Sequence, residues 1–170
     1  MREQKPRMGW QEYKDLAPDA YEALLALSKA VSNSGLEPDL IELIKLRASQ
    51  INGCAFCTQY HLNAARKLEI SQAKLDLLVV WREAGIFSAR EQAAFAWTEE
   101  LTRIAGNHIS DQDYADVITQ FPPAELAALT TAVGLINTWN RIAGPLRFAP
   151  PIPSSKLEPK RDPKHVTANG

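Results

Sequence analysis

The chain has 170 residues, 45% apolar and 23% charged, with 19 basic and 20 acidic side chains and a formal net charge of −1. That length suits one domain able to bury roughly 70% of its unfolded surface. The balanced charge, with no long single-sign run, argues against nucleic acid or an anionic membrane as partner. No apolar run approaches the ~20 residues of a membrane-spanning helix. The opening Met1-Arg2-Glu3-Gln4-Lys5-Pro6 is charged and leads into no apolar stretch. That argues against a secretory signal, so a cytoplasmic location is expected.

Helical periodicity dominates, and neither alternating β-branched runs nor hairpin turns occur, which predicts an all-α fold. A first helix is expected over Asp15 to Asn33, with Pro18 near its start and Ser34-Gly35 ending it. Pro38 suits the first turn of a second helix, carrying Ile41, Leu43, Ile44, Leu46 and Ile51 until Asn52-Gly53 breaks it. A third runs from about Cys54 to Leu68, and Ser71 caps a fourth that continues to Gly85. Ser88 and Glu91 form a capping box for a fifth helix reaching Ile104. Ser110 with Asp113 opens a sixth to about Phe121. Pro122-Pro123 begins a seventh, Ala124 to Ala143, apolar on nearly all sides and so expected to be central or covered by another subunit. From Pro145 onward, prolines at 145, 150, 151, 153, 159 and 163 predict an extended tail.

The two cysteines of the chain, Cys54 and Cys57, stand three positions apart. Such a pair in a reducing compartment points to redox catalysis or metal binding. Cys57 and His61 are i and i+4, so they share a helix face, while Cys54 lies one turn earlier at the helix start. A thiolate there is stabilised by free backbone N–H groups and the positive end of the helix dipole. In such settings a cysteine pKa falls from ~8.5 to ~3.5–7.5. His61 is placed to act as base for Cys57, which is therefore expected to carry the lower pKa and react faster. Glu42 lies on the preceding helix, and the turn at Asn52-Gly53 can fold it back to accept the other His61 N–H. The expected chemistry is thiolate attack on a peroxide oxygen or a disulfide, with the neighbouring cysteine resolving the product.

This stretch resembles the core of the alkyl hydroperoxidase D family, within the carboxymuconolactone decarboxylase-like superfamily. The family pattern is a Glu, eleven intervening residues, then Cys-x-x-Cys-x-x-x-His, and Glu42, Cys54, Cys57 and His61 match it at every spacing. Flanks such as Ile44-Lys45-Leu46-Arg47-Ala48-Ser49-Gln50, Trp81-Arg82-Glu83-Ala84, Ala94-Phe95-Ala96-Trp97-Thr98-Glu99 and Ile136-Asn137-Thr138-Trp139-Asn140-Arg141 also resemble it, over roughly Trp10 to Phe148. The resemblance implies an AhpD-like helical domain of six to seven helices over residues 1–148, with a Pro-rich tail over 149–170. It implies peroxidase or disulfide-reductase activity with Cys57 peroxidatic and Cys54 resolving, and no cofactor. The implied partners are a small hydroperoxide, a thiol reductant such as a lipoylated or thioredoxin-like protein, and further copies of the chain, as a hexamer built as a trimer of dimers. One departure stands out: the best-studied members carry a histidine just before the second cysteine, where this chain has Phe56.

Zinc held by Cys54, Cys57, His61 and Glu42 is a competing reading, although structural zinc cysteines more often come with a second pair. The wider superfamily also offers a lyase acting on a small lactone acid, a branch that does not rely on a cysteine pair, and a scaffold without turnover. His108 is expected to be a loop residue, and His165 is assigned nothing. Phe56 and Tyr60 are expected as pocket wall or core, and Trp81, Trp97 and Trp139 as core or subunit interface.

Overall fold

The computed structural model describes residues 5–106 and 108–153. These residues fold entirely as helices and turns: α1 (Trp10–Leu16), α2 (Pro18–Ser32), α3 (Pro38–Ile51), α4 (Ala55–Lys67), α5 (Gln72–Leu77), α6 (Trp81–Ala84), α7 (Ala89–Thr102), α8 (Asp111–Ile118) and α9 (Pro123–Leu146). The all-α class expected from the sequence is the class observed among these residues. None of the helices is long and apolar enough to cross a membrane.

The axis of the fold is α3. From Leu40 to Ser49 every residue but Glu42 is buried, and the helix packs against α4, α7 and α9. Each Leu or Ile enclosed in this way contributes about 1.5–3 kcal/mol relative to exposure. The apolar α9 is the second central element, burying Leu126, Leu129, Val133, Leu135 and Ile136. Trp81 and Trp97 are core: both are buried, and the Trp97 indole donates to Thr130 Oγ1 at 3.0 Å.

Several boundaries differ from the sequence expectation. The first helix is two helices, broken at Ala17 (φ −133°, ψ 55°), because a residue before proline is pushed out of the helical region. The short α1 went unpredicted. The fourth helix is also interrupted, by a 3₁₀ turn over Leu78–Val80 ending at Val80 (φ −120°, ψ 31°). The β-branched pair Val79-Val80 has little preference for continuing the helix. The Ser88 and Ser110 capping boxes form as expected.

The tail does not begin at Pro145. That residue sits in the last turn of α9, and the N-terminal segment compensates: Arg7 N and Met8 N both donate to Leu146 O at 3.1 Å, and Arg7 Nη1 donates to Pro145 O at 3.0 Å. The helix stops at Arg147 (φ 54°, left-handed), with Arg147 N donating to Gly144 O and Phe148 N to Ala143 O. This paired closure turns Phe148 back inward, where it is buried beside Cys54 and Cys57. Residues 149–153 run without regular structure, pinned by Asn63 Nδ2 donating to Pro151 O at 2.8 Å. The rest of the expected tail, His165 included, lies outside the described residues; His108 is an exposed loop residue.

One buried ion cluster ties α3 to α6 and α7. Glu99, 2% exposed, accepts from Arg47 Nη2 at 2.6 Å, Trp81 Nε1 at 2.9 Å, Arg82 Nη1 at 2.7 Å and Arg103 Nη1 at 3.2 Å. Burial works to raise this carboxyl, but Trp81, Arg82 and Arg47 outweigh it and bring its pKa down to about 2.

Candidate active site

The site begins where α3 ends. Gly53 takes φ +64°, a left-handed conformation that L side chains rarely adopt. Gly53 N then donates to Gln50 O, and Cys54 N to Ser49 O at 3.0 Å. Cys54 therefore closes α3 through its N–H and opens α4 as its N-cap. Its sulfur accepts from Cys57 N at 3.4 Å, in the place a serine or aspartate oxygen usually takes.

Both cysteines are free and buried, and each thiol influences the ionisation of the other. The Cys57 thiol is the largest influence on Cys54. Burial opposes it, but the Cys57 and Phe56 backbone N–H groups and the Asn140 side chain reinforce it, bringing Cys54 down to about 7. The neighbouring Cys54 thiol, burial and the charge on Cys54 push Cys57 far up. The pair thus titrates as a unit whose first proton leaves the Cys54 side. This ionisation order differs from the sequence expectation. The N-cap position collects the donors, and Cys57, one turn further in, contributes its own N–H to its neighbour.

Glu42 folds back on α4 as expected, with His61 Nδ1 2.7 Å from Glu42 Oε2. The other carboxylate oxygen accepts from Lys45 Nζ at 3.2 Å. Burial alone would raise Glu42, but the hydrogen bond and charge of His61, with Lys45, hold it below the ordinary carboxylate range. An ionised Glu42 is acceptor only, so Nδ1 of His61 carries the proton and Nε2 of the neutral ring keeps its lone pair. His61 is thereby set up to take a proton through Nε2.

A pocket of about 270 Å³ opens over these groups. Cys57, His61, Glu42 and Lys45 line it, whereas Cys54 is not among its lining residues. Aromatic rings from four helices wall it: Trp10, Tyr21, Phe56, Tyr60 and Trp139. Trp10 stacks on Phe56 with ring centroids 5.3 Å apart and lies 5.4 Å from Trp139. Phe56 and Tyr60 are thus pocket wall, and Phe56 is stacked between Trp10 and Tyr60.

The sequence reading missed Trp10, Lys45, Asn140 and Phe148. Lys45 is three residues after Glu42, a spacing that pairs charges on one helix face. Asn137 and Asn140, three apart inside an otherwise apolar helix, were a signal of buried polar partners. Nothing local to Trp10 or Phe148 announces the contact each makes across the fold.

Comparison with known proteins agrees with this architecture. The sequence model of the carboxymuconolactone decarboxylase family matches residues 18–100. An uncharacterized Bacillus subtilis (strain 168) protein, YdfG, is 32% identical over 131 residues, 77% of this chain and 89% of its own. A crystal structure from Agrobacterium tumefaciens, of a protein of unknown function provisionally assigned as the antioxidant defence protein AhpD, is 39% identical. It covers 88% of this chain and 100% of that one, with a TM-score of 0.82. The chain belongs to the carboxymuconolactone decarboxylase family and is AhpD-like. A Ralstonia eutropha JMP134 structure, described as an alkylhydroperoxidase AhpD core and an uncharacterized peroxidase-related protein, shares the fold. It does so at 20% identity, with a TM-score of 0.72 over 82% of this chain and 74% of that one. The family match spans Glu42, Lys45, Cys54, Cys57 and His61, while Trp10, Trp139 and Asn140 fall outside it.

Proposed function

We propose that this AhpD-like protein is a thiol-dependent peroxidase that reduces hydroperoxides at Cys57 and then closes a Cys54–Cys57 disulfide. Family membership supports a peroxidase-related or carboxymuconolactone decarboxylase-like function. The observation that carries the finer reading is the placement of Cys57: it is the thiol that lines the pocket, in company with a histidine held by a carboxylate.

In this reading Cys57 loses its proton to His61 Nε2 as substrate enters. The Cys57 thiolate attacks the distal peroxide oxygen. A sulfur–oxygen bond forms, the oxygen–oxygen bond breaks, and the alkoxide leaves as an alcohol with the proton His61 returns. The Cys57 sulfenic acid is then attacked by the Cys54 thiolate: the sulfur–sulfur bond forms, the sulfur–oxygen bond breaks, and the hydroxide leaves as water with a proton from solvent. An external dithiol, of the lipoylated or thioredoxin-like class, returns the pair to its reduced state by exchange. Glu42 keeps the imidazole in the productive tautomer. The working environment is a reducing compartment such as the cytoplasm, and the working form is a homo-oligomer, the hexamer that the family resemblance implies.

The test is a stopped-flow titration of the reduced protein with an alkyl hydroperoxide. The expected result is loss of two free thiols per peroxide consumed, with an intramolecular disulfide as product. Thiols that survive excess peroxide, or stoichiometric zinc that protects them from alkylation, would overturn the reading.

A further inference from the structure

We infer that the substrate of this site is a neutral hydroperoxide carrying an aromatic ring, and that Trp10 is the residue that selects it. The inference rests on the peroxidase reading above and narrows it to a chemical class. Trp10 lies outside residues 18–100, the segment the family model matches, so the family pattern does not supply it.

The reacting groups and the aromatic wall are neighbouring rows of one helix. On α4, Cys57 and His61 are four positions apart, and so are Phe56 and Tyr60, one position earlier. Residues four apart lie over one another on a helix face, so the two rings run alongside the sulfur and the imidazole. Trp10 extends that row. It stacks on Phe56 with centroids 5.3 Å apart and planes 23° apart, and Phe56 stacks on Tyr60 at 6.2 Å and 25°. Trp139 reaches Trp10 from α9 at 5.4 Å, and Tyr21 meets it edge-on from α2 at 5.6 Å. Trp10, Phe56 and Trp139 also pack on the apolar cluster that contains both cysteines. A substrate with its peroxide group at Cys57 therefore has aromatic rings around its organic part.

Size and charge narrow the occupant further. The pocket holds about 270 Å³. A water molecule takes only about 30 Å³ of the liquid, so hydrogen peroxide would leave most of the wall uncovered. Pockets that enclose organic ligands begin at about 300 Å³, and a volume near that limit suits a single ring with a short side arm. Aromatic rings about 4.5–7 Å apart attract one another beyond the area they bury, a gain that an aliphatic body of equal area lacks. Besides the titratable His61, the charged side chains of the wall are Glu42 and Lys45, and both are already engaged. Lys45 Nζ donates to Glu42 Oε1 at 3.2 Å, and Glu42 Oε2 meets His61 Nδ1 at 2.7 Å. An anionic substrate would compete with Glu42 for Lys45, and a cationic one would draw the carboxylate from His61. A neutral substrate disturbs neither contact.

Trp10 is suited to selection because little of the core depends on it. The helix α1 has no buried residue, packs on α2, and is held at its start by Arg7 and Met8 on the end of α9. The indole enters the pocket wall from this peripheral strap, whereas the nucleophile and its histidine stand on α4 and the carboxylate on α3.

The test compares cumyl hydroperoxide with tert-butyl hydroperoxide, which differ by a phenyl group in place of a methyl on the same tertiary carbon. The readout is steady-state kcat/KM of the full chain with dihydrolipoamide as reductant. Calorimetric titration of the reduced protein with cumyl alcohol, and with benzoate as an anionic ring, measures binding apart from turnover. The wild type is expected to prefer cumyl hydroperoxide by about tenfold or more, mainly through KM. Trp10→Ala should cut that preference to about threefold or less, and Trp10→Phe, which restores a ring, should recover most of it. Trp10→Leu keeps apolar bulk without a ring and decides the matter if Trp10→Ala does not fold. Cumyl alcohol should bind the wild type at least about tenfold more tightly than benzoate does, since a buried carboxylate would lack a free partner. Equal kcat/KM for the two hydroperoxides, or a wild-type preference in the folded ringless variants, would overturn the inference and leave the peroxidase reading standing. Benzoate bound as tightly as cumyl alcohol would overturn the neutral charge assigned to the substrate. Trp10-dependent binding of cumyl alcohol by a protein that consumes no hydroperoxide would uphold the aromatic ligand and overturn only the peroxidase reading.

Discussion

The two buried polar clusters on α3 use charge in different ways. On one face Arg47 joins Glu99, which also gathers Trp81, Arg82 and Arg103 and remains 2% exposed. On another face Glu42, Lys45 and Ser49, spaced three and four apart, lie toward the thiols. In the first cluster the carboxylate is ringed by cations that never lose their protons, so its state does not change near neutral pH. In the second, two buried thiols titrate as a pair and a histidine beside them faces an open pocket. Perturbed ionisation occurs in both, and only the second couples it to a space a substrate can enter.

The largest expected effect separates the clusters by chemistry. Cys57→Ser should lower hydroperoxide reduction by more than about 10³-fold, as loss of a nucleophile does, and leave the thermal unfolding midpoint close to the wild type. Cys54→Ser should react once and stall as a sulfenic acid, visible by mass spectrometry. Equal residual turnover in the two single variants would show that the roles are not divided in this way.

Glu99→Gln should do the opposite. It leaves Arg47 buried without its carboxylate, and is expected to destabilise the fold by about 3–5 kcal/mol in urea unfolding, with the alkylation profile of the folded protein unchanged. The wild type should also show the corresponding acid dependence. The folded Glu99 pKa is about 2, below the reference of 4.5, so its contribution is fully present above about pH 4.5 and is lost as pH falls toward 2. A Glu99→Gln protein with the same acid profile would show that other carboxylates govern that window.

Glu42→Gln should be a moderate kinetic defect. It keeps the size of the side chain but removes the charge that fixes the His61 tautomer, so thiol oxidation should slow by roughly 10–100-fold with cooperative unfolding retained. A wild-type rate at every pH would reduce Glu42 to a bystander. The smallest effect is expected at Arg103→Ala. This arm of the Glu99 cluster is half exposed, and its removal should cost less than about 1 kcal/mol. A larger loss would show that the cluster acts as one unit.

The secondary structure of the catalytic hairpin was legible because its signals are local. Asn52-Gly53 stops one helix and the cysteine spacing starts the next. The Glu42–His61 contact could be expected because α3 and α4 are consecutive and joined by a tight turn, which restricts how they can pack. The capping boxes at Ser88 and Ser110 were legible for the same reason. The breaks at Ala17 and Val80 are also local in cause, but each competes with an apolar pattern that continues across it, and the pattern prevailed in the reading. Pro145 misled in the other direction. A proline argues against helix, yet Arg7 and Met8, far away in sequence, satisfy the Leu146 carbonyl through their backbone N–H groups and the Pro145 carbonyl through the Arg7 guanidinium, and let the last turn stand.

By itself the sequence determined the helical class, the register of Cys54, Cys57 and His61 on α4, and the presence of a carboxylate within reach of the imidazole. Each follows from spacings of at most one helical hairpin. Tertiary structure alone decided which thiol gathers hydrogen-bond donors and which one lines the pocket. It also decided that Trp10 from the N-terminal end and Phe148 from the end of α9 enclose the pair, and that Arg47 belongs to a structural cluster rather than to the site. These depend on α1, α3, α4 and α9 meeting at one place, and contacts between segments so far apart in the chain are set by how the whole core packs.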